Sequence, residues 1–352
     1  MDEAYDDPAS GQNGQGRLLI ATVTPNPAWD VTYEVPALVP GAVHRVARVH
    51  RRLGGKGVNV ARVLQAAGHD AVAIMPGPAG LAAQAGLPQA RLSESRRSEA
   101  RPSEHGHDTA AGGACLACDV VPGLPAIRQT LVVQGGDGVT TSLWEPGAEP
   151  EPGTGPALSG RVRAWLRPDG PARGLAVSGS LPPGLDAGLP AALATLAVAV
   201  AVPAVVDTSG EALRRAALVR GVVLKPNAAE LTQLTGRDCH DVAEATGAAR
   251  TLLAGGPRAV VVTLGASGLV AVADDSAWHG RLGESLAGNP TGAGDAAAAA
   301  LIAGLAAGAS WPRIVADSVA TSAAAVLSPV AGDVAAADVG RLARHVQVSE
   351  VP

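Results

Sequence analysis

The chain has 352 residues and a formal net charge of −5, with 47% hydrophobic and 17% charged residues. That balance describes a globular protein long enough for a large buried core, and it gives no electrostatic reason to expect a nucleic-acid partner. Aromatic residues are only 2% and phenylalanine is absent, so a core of Ala, Val and Leu fits layered helix and sheet better than an aromatic-rich β-sandwich.

Residues 1–16 are acidic and lack an apolar signal-peptide core, and they are expected to form a disordered tail. One domain is expected over residues 17–352. Leu18–Thr24 reads as a buried strand, stopped by Pro25-Asn26-Pro27. Val31 to Val49 alternates apolar and polar residues around Pro36 and Pro40-Gly41, the pattern of short antiparallel strands in a small sheet. Val58–Ala67 has helical spacing directly after Gly54-Gly55-Lys56-Gly57, and Val72–Met75 is a second short strand. Residues 79–113 turn polar and are expected to be a flexible insertion, with His105 and His107 solvated rather than bound to metal.

Cys115 and Cys118 have the spacing of half a zinc site, but no second such pair exists. Together with Cys239 they form no disulfide framework, which points to a reducing cytoplasm. Alternation returns at Ala126–Val133 and Val139–Trp144. These segments are expected to complete the small sheet as a lid, drawn from about 31–50 and 115–145.

From Arg161 onward helices and strands alternate. Strands are expected at Gly174–Val177, Ala204–Val206, Gly221–Leu224, Ala259–Val262 and Leu269–Val272. This predicts an α/β fold with a mostly parallel sheet covered by helices on both faces. The apolar run Leu189–Val206 contains Pro190 and Pro203 and has no basic flank. It reads as a buried helix running into a strand, so no membrane partner is expected.

Scarce residue types mark the chemistry. The chain has two lysines, Lys56 and Lys225, and both lie in loops punctuated by glycine or proline. Where arginine is the default cation, a retained lysine indicates a compact point charge. Of five asparagines, Asn59 and Asn227 share those loops, Asn26 lies in a third, and Asn289 precedes a fourth. That fourth loop, Gly292-Ala293-Gly294-Asp295, opens a helix expected from Ala296 to Ala307. A glycine-flanked helix start offers backbone N–H groups and the positive dipole end to an anion. Asp295 is ill suited to binding phosphate there, but well placed to take a proton from an attacking hydroxyl. The N–H groups of Gly292, Ala293 and Gly294 would then stabilise the transferring phosphoryl group. A helix-start aspartate without chemistry is the competing interpretation of this motif alone. Neither a dinucleotide fingerprint nor a P-loop is supported: no apolar strand precedes Gly292, and Gly57 rather than Ser or Thr follows Lys56.

Six blocks, in order, resemble the ribokinase/PfkB family of carbohydrate kinases. They are Thr24–Asp30, Gly54–Asn59, Ser178–Gly184, Lys225–Leu231, Thr263–Gly268 and Gly292–Asp295. The match spans about residues 18–345 apart from 79–113, and within the family it is most similar to the 1-phosphofructokinase and tagatose-6-phosphate kinase branch. The resemblance implies a ribokinase-like three-layer α/β/α sandwich with a small β-sheet lid, using ATP and Mg2+.

It also implies roles. Asp30, Gly54, Gly55 and Asn59 would hold the sugar, with Lys56, Arg45 and Arg128 on the phosphate it already carries. Lys225, Asn227, Thr263, Gly265 and Gly268 would hold the nucleotide. Glu230 would act on magnesium through bound water, and Asp295 would be the base. The implied reaction is phosphorylation of fructose 1-phosphate to fructose 1,6-bisphosphate. Tagatose 6-phosphate or fructose 6-phosphate is the alternative, followed by ribose or a nucleoside, or a non-catalytic sugar-binding role. The family's lids often pair, which implies a homodimer. The chain departs from the branch at Pro125-Ala-Ile-Arg128, where only the arginine is kept, at Pro76–Gly80, and at Ser328 in place of an asparagine.

Overall fold

The computed structural model describes residues 17–90, 116–167, 170–284 and 286–352. The expected N-terminal tail, His105, His107 and Cys115 lie outside them.

The chain opens with β1 (Leu19–Val23), which passes through Thr24–Pro27 directly into β2 (Ala28–Val35). There follow β3 (Arg48–Gly54), α1 (Lys56–Ala66), β4 (Asp70–Gly77), α2 (Leu81–Gln84), β5 (Ala117–Pro122), β6 (Arg128–Gly135) and β7 (Thr140–Trp144). The second half runs α3 (Thr154–Trp165), β8 (Gly174–Ser178), α4 (Leu189–Ala199), β9 (Ala204–Asp207), α5 (Gly210–Ala216), β10 (Val223–Leu224), α6 (Ala228–Thr235), α7 (Val242–Leu253) and β11 (Ala259–Thr263). It closes with β12 (Leu269–Ala273), β13 (Ser276–Leu282), α8 (Ala293–Ala306), α9 (Trp311–Val326), α10 (Ala336–Ala343) and β14 (Val346–Glu350).

Ten strands form one sheet in the order β14-β13-β12-β11-β10-β9-β8-β1-β4-β5. Pairing is parallel from β11 to β5 and antiparallel from β11 to β14. Its inner strands, such as β1, β8, β9 and β11, are apolar on both faces because helices cover both. Ile20 packs with α1, α8 and α9 on one face, while Ala21 and Val23 pack with α3, α4 and α5 on the other. Such double burial produces unbroken apolar runs in place of alternation. At 25 cal/mol per Å², each fully buried Leu, Ile or Val contributes roughly 1.5–3 kcal/mol before conformational entropy is subtracted.

The second sheet, β3-β2-β6-β7, is the lid. β2 runs antiparallel to β3 and parallel to β6, so Asp30 lies opposite Arg52 on one side and Thr130 on the other.

Four sequence expectations are corrected. The second lid segment begins at Arg128, not near residue 115, because β5 pairs with β4 at the edge of the large sheet. The first segment is longer than expected, spanning β2 and β3 from residue 28 to 54. The stretch from 79 is not an insertion throughout: Leu81 and Leu87 are buried in the main core, and Gln89 bridges Cys118. The remainder, residues 91–113, lies outside the described residues. Helix α8 starts at Ala293, three residues earlier than expected, which places Asp295 inside its first turn. Cys118 and Cys239 are both buried.

Candidate active site

Polar residues appear where the strands end. Thr24, Ser178, Asp207 and Lys225 follow or terminate β1, β8, β9 and β10, and all four are buried. This is the carboxyl edge of the parallel strands, where ligand crevices of open α/β sheets form. The loop before α1 packs against Thr24–Pro27, so closely that a Cβ on Gly57 would meet the Val23 carbonyl oxygen at 2.5 Å.

Asn59, in the first turns of α1, is buried and joins the front of the chain to its rear. Its Nδ2 donates to Asp295 Oδ2 at 3.1 Å and to Asp30 Oδ2 at 3.4 Å. The lid carboxylate and the α8 carboxylate therefore share one amide. Asp30 also accepts from the Thr130 hydroxyl at 2.5 Å, from the neighbouring strand β6. Gly54 faces Asp30: a Cβ there would lie 2.0 Å from Oδ2.

Both lysines converge on Asp207. Lys56 Nζ and Lys225 Nζ each stand 2.9 Å from its carboxylate, one on each oxygen. Burial alone would raise the pKa of Asp207, but the two ammonium groups outweigh it and the pKa is lowered. The pKa of Lys56 is raised, first by Asp207 and further by Asp295 and Glu230. Burial acts without such a counterweight on Asp295, whose pKa is raised to about 7; Lys56 and the Asn59 hydrogen bond oppose that rise, and Asp207 adds to it.

Asn227 caps α6 by a reciprocal capping box: its Oδ1 accepts from Glu230 N–H at 2.8 Å, and Glu230 Oε2 accepts from Asn227 N–H at 2.9 Å. The Asn227 backbone bridges Thr263, and Thr263 N–H donates to Pro226 O at 3.1 Å, so the two predicted nucleotide loops are neighbours. Gly268, at φ +86°, passes so close to β13 that a Cβ would clash with the Gly280 carbonyl. Gly265, at φ +59°, opens the tight turn before it.

The structure thus gathers Asp30, Gly54, Gly55, Lys56, Asn59, Lys225, Glu230 and Asp295 around one cleft. Arg128 stands close to Asp30: desolvation lowers its pKa, and Asp30 and Glu145 oppose that. Arg45 is exposed in the β2–β3 loop and makes no hydrogen bond or ion pair among the described residues. Lys56 is paired with Asp207 and stays part-exposed, with Asp295 near enough to raise its pKa further. Ala293 N–H donates to Pro290 O at 3.2 Å, which leaves Gly292 and Gly294 to the anion hole expected from three residues. No side chain caps α8.

Sequence reasoning missed Asp207, though a lone acidic residue closing the apolar strand Ala204-Val-Val is itself a signal. It also missed what Asn289 does. Asn289 Nδ2 donates to Pro329 O and its Oδ1 accepts from Thr291 N–H, both at 3.0 Å, lashing the Gly292 loop to the 327–332 loop. Gly292, at φ +89°, leaves no room for a Cβ against Ala331. Arg52 Nη2 donates to the Ala331 carbonyl, which ties the lid to the same loop. Thr130, two residues after Arg128, gave no signal in the sequence.

The residues fit a nucleotide. An uncapped helix start, two lysines and the unpartnered buried hydroxyls of Thr24 and Ser178 surround the centre. No group of three or more His, Cys, Asp or Glu among the described residues could hold a metal ion. No helix among the described residues is long and apolar enough to cross a membrane.

A lid over the carboxyl edge of an α/β/α sandwich, with a buried carboxylate at a helix start, defines a sugar-kinase fold and site. Comparison with known proteins agrees. Residues 170–337 match the pfkB family carbohydrate kinase model. The chain is 36% identical over 288 residues to the 1-phosphofructokinase of Rhodobacter capsulatus, covering 81% of this chain and 83% of that one. It is 32% identical over 292 residues to the 1-phosphofructokinase of Xanthomonas campestris pv. campestris, covering 82% and 84%. Phosphofructokinase-2 from Escherichia coli, solved with fructose-6-phosphate, superposes with a TM-score of 0.74 at 25% identity, over 93% of this chain and 98% of that one. The chain belongs to the PfkB family of carbohydrate kinases, phosphotransferases whose acceptor is an alcohol.

Proposed function

We propose that this kinase transfers the γ-phosphoryl group of ATP to fructose 1-phosphate, giving fructose 1,6-bisphosphate and ADP. The observation that carries the proposal is the Asn59 bridge, in which one amide nitrogen donates to both Asp30 and Asp295. Asp30 accepts hydrogen bonds from sugar hydroxyls. Asp295 takes the proton of the attacking hydroxyl, whose oxygen bonds to the γ-phosphorus as the bond to the ADP oxygen breaks. A pKa near 7 suits that task, because a base is most effective when poised near the working pH. Lys56 and Lys225, aligned by Asp207, and the N–H groups of Gly292 and Gly294 stabilise charge on the group in flight. Lys225, Asn227, Thr263, Gly265 and Gly268 form the nucleotide side. Glu230 would hold magnesium through bound water, and the ion would supply charge neutralisation for the phosphates. Lid closure excludes water that would compete with the sugar as acceptor.

Arg128, beside Asp30, is the cation on the sugar side that receives the phosphate already present, with Arg45 joining it only on closure. The two 1-phosphofructokinase relatives support fructose 1-phosphate. Fructose 6-phosphate is the second substrate to weigh, favoured by the likeness to the E. coli enzyme. We further propose that the lid pairs with a second copy, since Val49, Leu143 and Trp144 expose apolar surface there; light scattering should then give twice the chain mass. An ADP-release screen over fructose 1-phosphate, fructose 6-phosphate, tagatose 6-phosphate, ribose and common nucleosides tests the substrate. Fructose 1-phosphate should give the highest kcat/KM, and a preference for a neutral sugar or nucleoside would overturn the proposal.

A further inference from the structure

At the opposite edge of the ten-stranded sheet, where the parallel strands begin, a cleft of about 740 Å³ opens. Arg173 immediately precedes β8, Arg258 immediately precedes β11, and Arg167 follows α3; all three line it. The rest of the wall comes largely from the C-terminal turns of α4 and α8. Among the described residues no Asp or Glu lines the cleft, and none of the three guanidinium groups makes a hydrogen bond or ion pair there.

The bland explanation is that these arginines satisfy helix ends, which attract cations. The backbone removes the hydrogen-bonding part of that need. In α4, Val202 N–H reaches Ala197 O and Ala201 N–H reaches Val198 O, both at 3.0 Å. In α8, Ala309 N–H reaches Gly304 O at 2.9 Å and Gly308 N–H reaches Leu305 O at 3.1 Å. Both are complete paired closures of the helix-end carbonyls around a left-handed residue. Gly308 (φ +68°) takes that conformation freely, whereas Ala201 holds it at φ +58°, where a Cβ is disfavoured. Two helix ends contribute roughly −0.5 charge each, against three guanidinium charges, so the described lining keeps about two positive charges.

Arg173 and Arg258 stand at the starts of strands three places apart in the sheet, so their backbones are about 14 Å from each other. Cations approaching from two sides suit a ligand with an anionic group at each end. The volume lies within the usual range for small-molecule sites, roughly 300–1,000 Å³, and the planar guanidinium fork matches phosphate. α8 separates this edge from the catalytic one: from Asp295 to Ala306 the helix rises about 17 Å.

We propose that this arginine cleft is a binding site for a small molecule carrying two phosphate groups, separate from the catalytic centre. Glucose 1,6-bisphosphate is a suitable probe, titrated calorimetrically into the full-length chain. The cleft variant Arg167→Gln/Arg173→Gln/Arg258→Gln should weaken binding by about tenfold or more and leave kcat unchanged. Gly54→Leu, which blocks the sugar side of the catalytic cleft, should leave the same binding intact. Binding lost in Gly54→Leu but retained in the triple variant would assign the probe to the catalytic centre and overturn the proposal, as would absence of binding to the wild type. Should the triple variant fail to melt cooperatively, Arg258→Gln alone carries the test, with the same expected direction and the same overturning result.

Discussion

Two buried aspartates, Asp207 at the end of β9 and Asp295 in the first turn of α8, carry opposite electrostatic states within one cleft. Asp207 is met by an ammonium group on each oxygen, and its pKa falls despite complete burial. Asp295 receives a neutral amide from Asn59, and burial raises its pKa to about 7. Burial alone therefore does not make a base; burial without a cation in direct contact does. The chain's two lysines sit at Asp207, which leaves Asp295 free to exchange a proton.

The largest expected effect breaks that contrast at the base. Asp295→Asn keeps the shape and the neighbours but removes the proton acceptor, and kcat should fall by roughly 10²–10⁴-fold with ATP binding largely intact. Near-normal turnover would exclude Asp295 as base. In the wild type, kcat/KM for the sugar should decline as pH drops below about 7, because Asp295 then holds its own proton. A profile flat from pH 5 to 8 would contradict the assigned role.

Next comes the clamp. Asp207→Asn leaves Lys225, which is almost fully buried, without its counter-charge. Removing one partner of a buried ion pair costs roughly 3–5 kcal/mol, which urea denaturation would detect. Turnover should fall as well, since both ammonium groups lose their alignment. A variant as stable as the wild type would show that the lysines find other partners.

The same contrast predicts opposite pH dependences of stability. Asp207 has a folded pKa below its unfolded value, so its contribution is present at neutral pH and is lost as pH falls through the acid range. Asp295 has a folded pKa near 7 against 3.8, so the folded chain holds the extra proton between those values. Stability therefore declines as pH rises through that window, by at most about 4 kcal/mol. Asp295→Asn should flatten that decline and be more stable than the wild type at pH 8, although nearly inactive. Equal stability of the two at pH 8 would show that the buried carboxylate costs the fold nothing.

The loops of this site were legible because they carry residue types scarce elsewhere in the chain. Lys56, Lys225, Asn59 and Asn227 stand out in an arginine-rich, asparagine-poor sequence. The parallel strands were legible because double burial makes them continuous apolar runs. Asp207 was not, since its importance comes from two lysines distant in sequence that only the fold brings to it. The β5 edge was lost for a related reason: Ala117–Pro122 carries no clear local period, and it pairs with β4, more than forty residues earlier. The pairing of Lys56 with Asp207, 151 residues away, was likewise visible only in the fold. What local pattern encodes can be read from the sequence, whereas pairings set by long-range topology cannot.

The smallest effect concerns the third carboxylate of the cleft. Asp30 is held in the lid by Thr130 and Asn59 rather than by lysine, and Gly54 defines its free side. In Gly54→Ala the added Cβ would fall 2.0 Å from Asp30 Oδ2, so the carboxylate must swing away from where the sugar hydroxyls bind. Losing one charge-assisted hydrogen bond is worth roughly 1.5–3 kcal/mol, so the sugar KM should rise by about 10- to 100-fold. The KM for ATP should barely move, because Asp30 lies on the lid side of Asn59 and the nucleotide loops lie at the ends of β10 and β11. Equal rises in both constants would mean that Gly54 supports the whole cleft rather than the placement of one carboxylate. A rise confined to the sugar would assign Asp30 to substrate recognition, leaving the proton to Asp295 and the lysine clamp to Asp207.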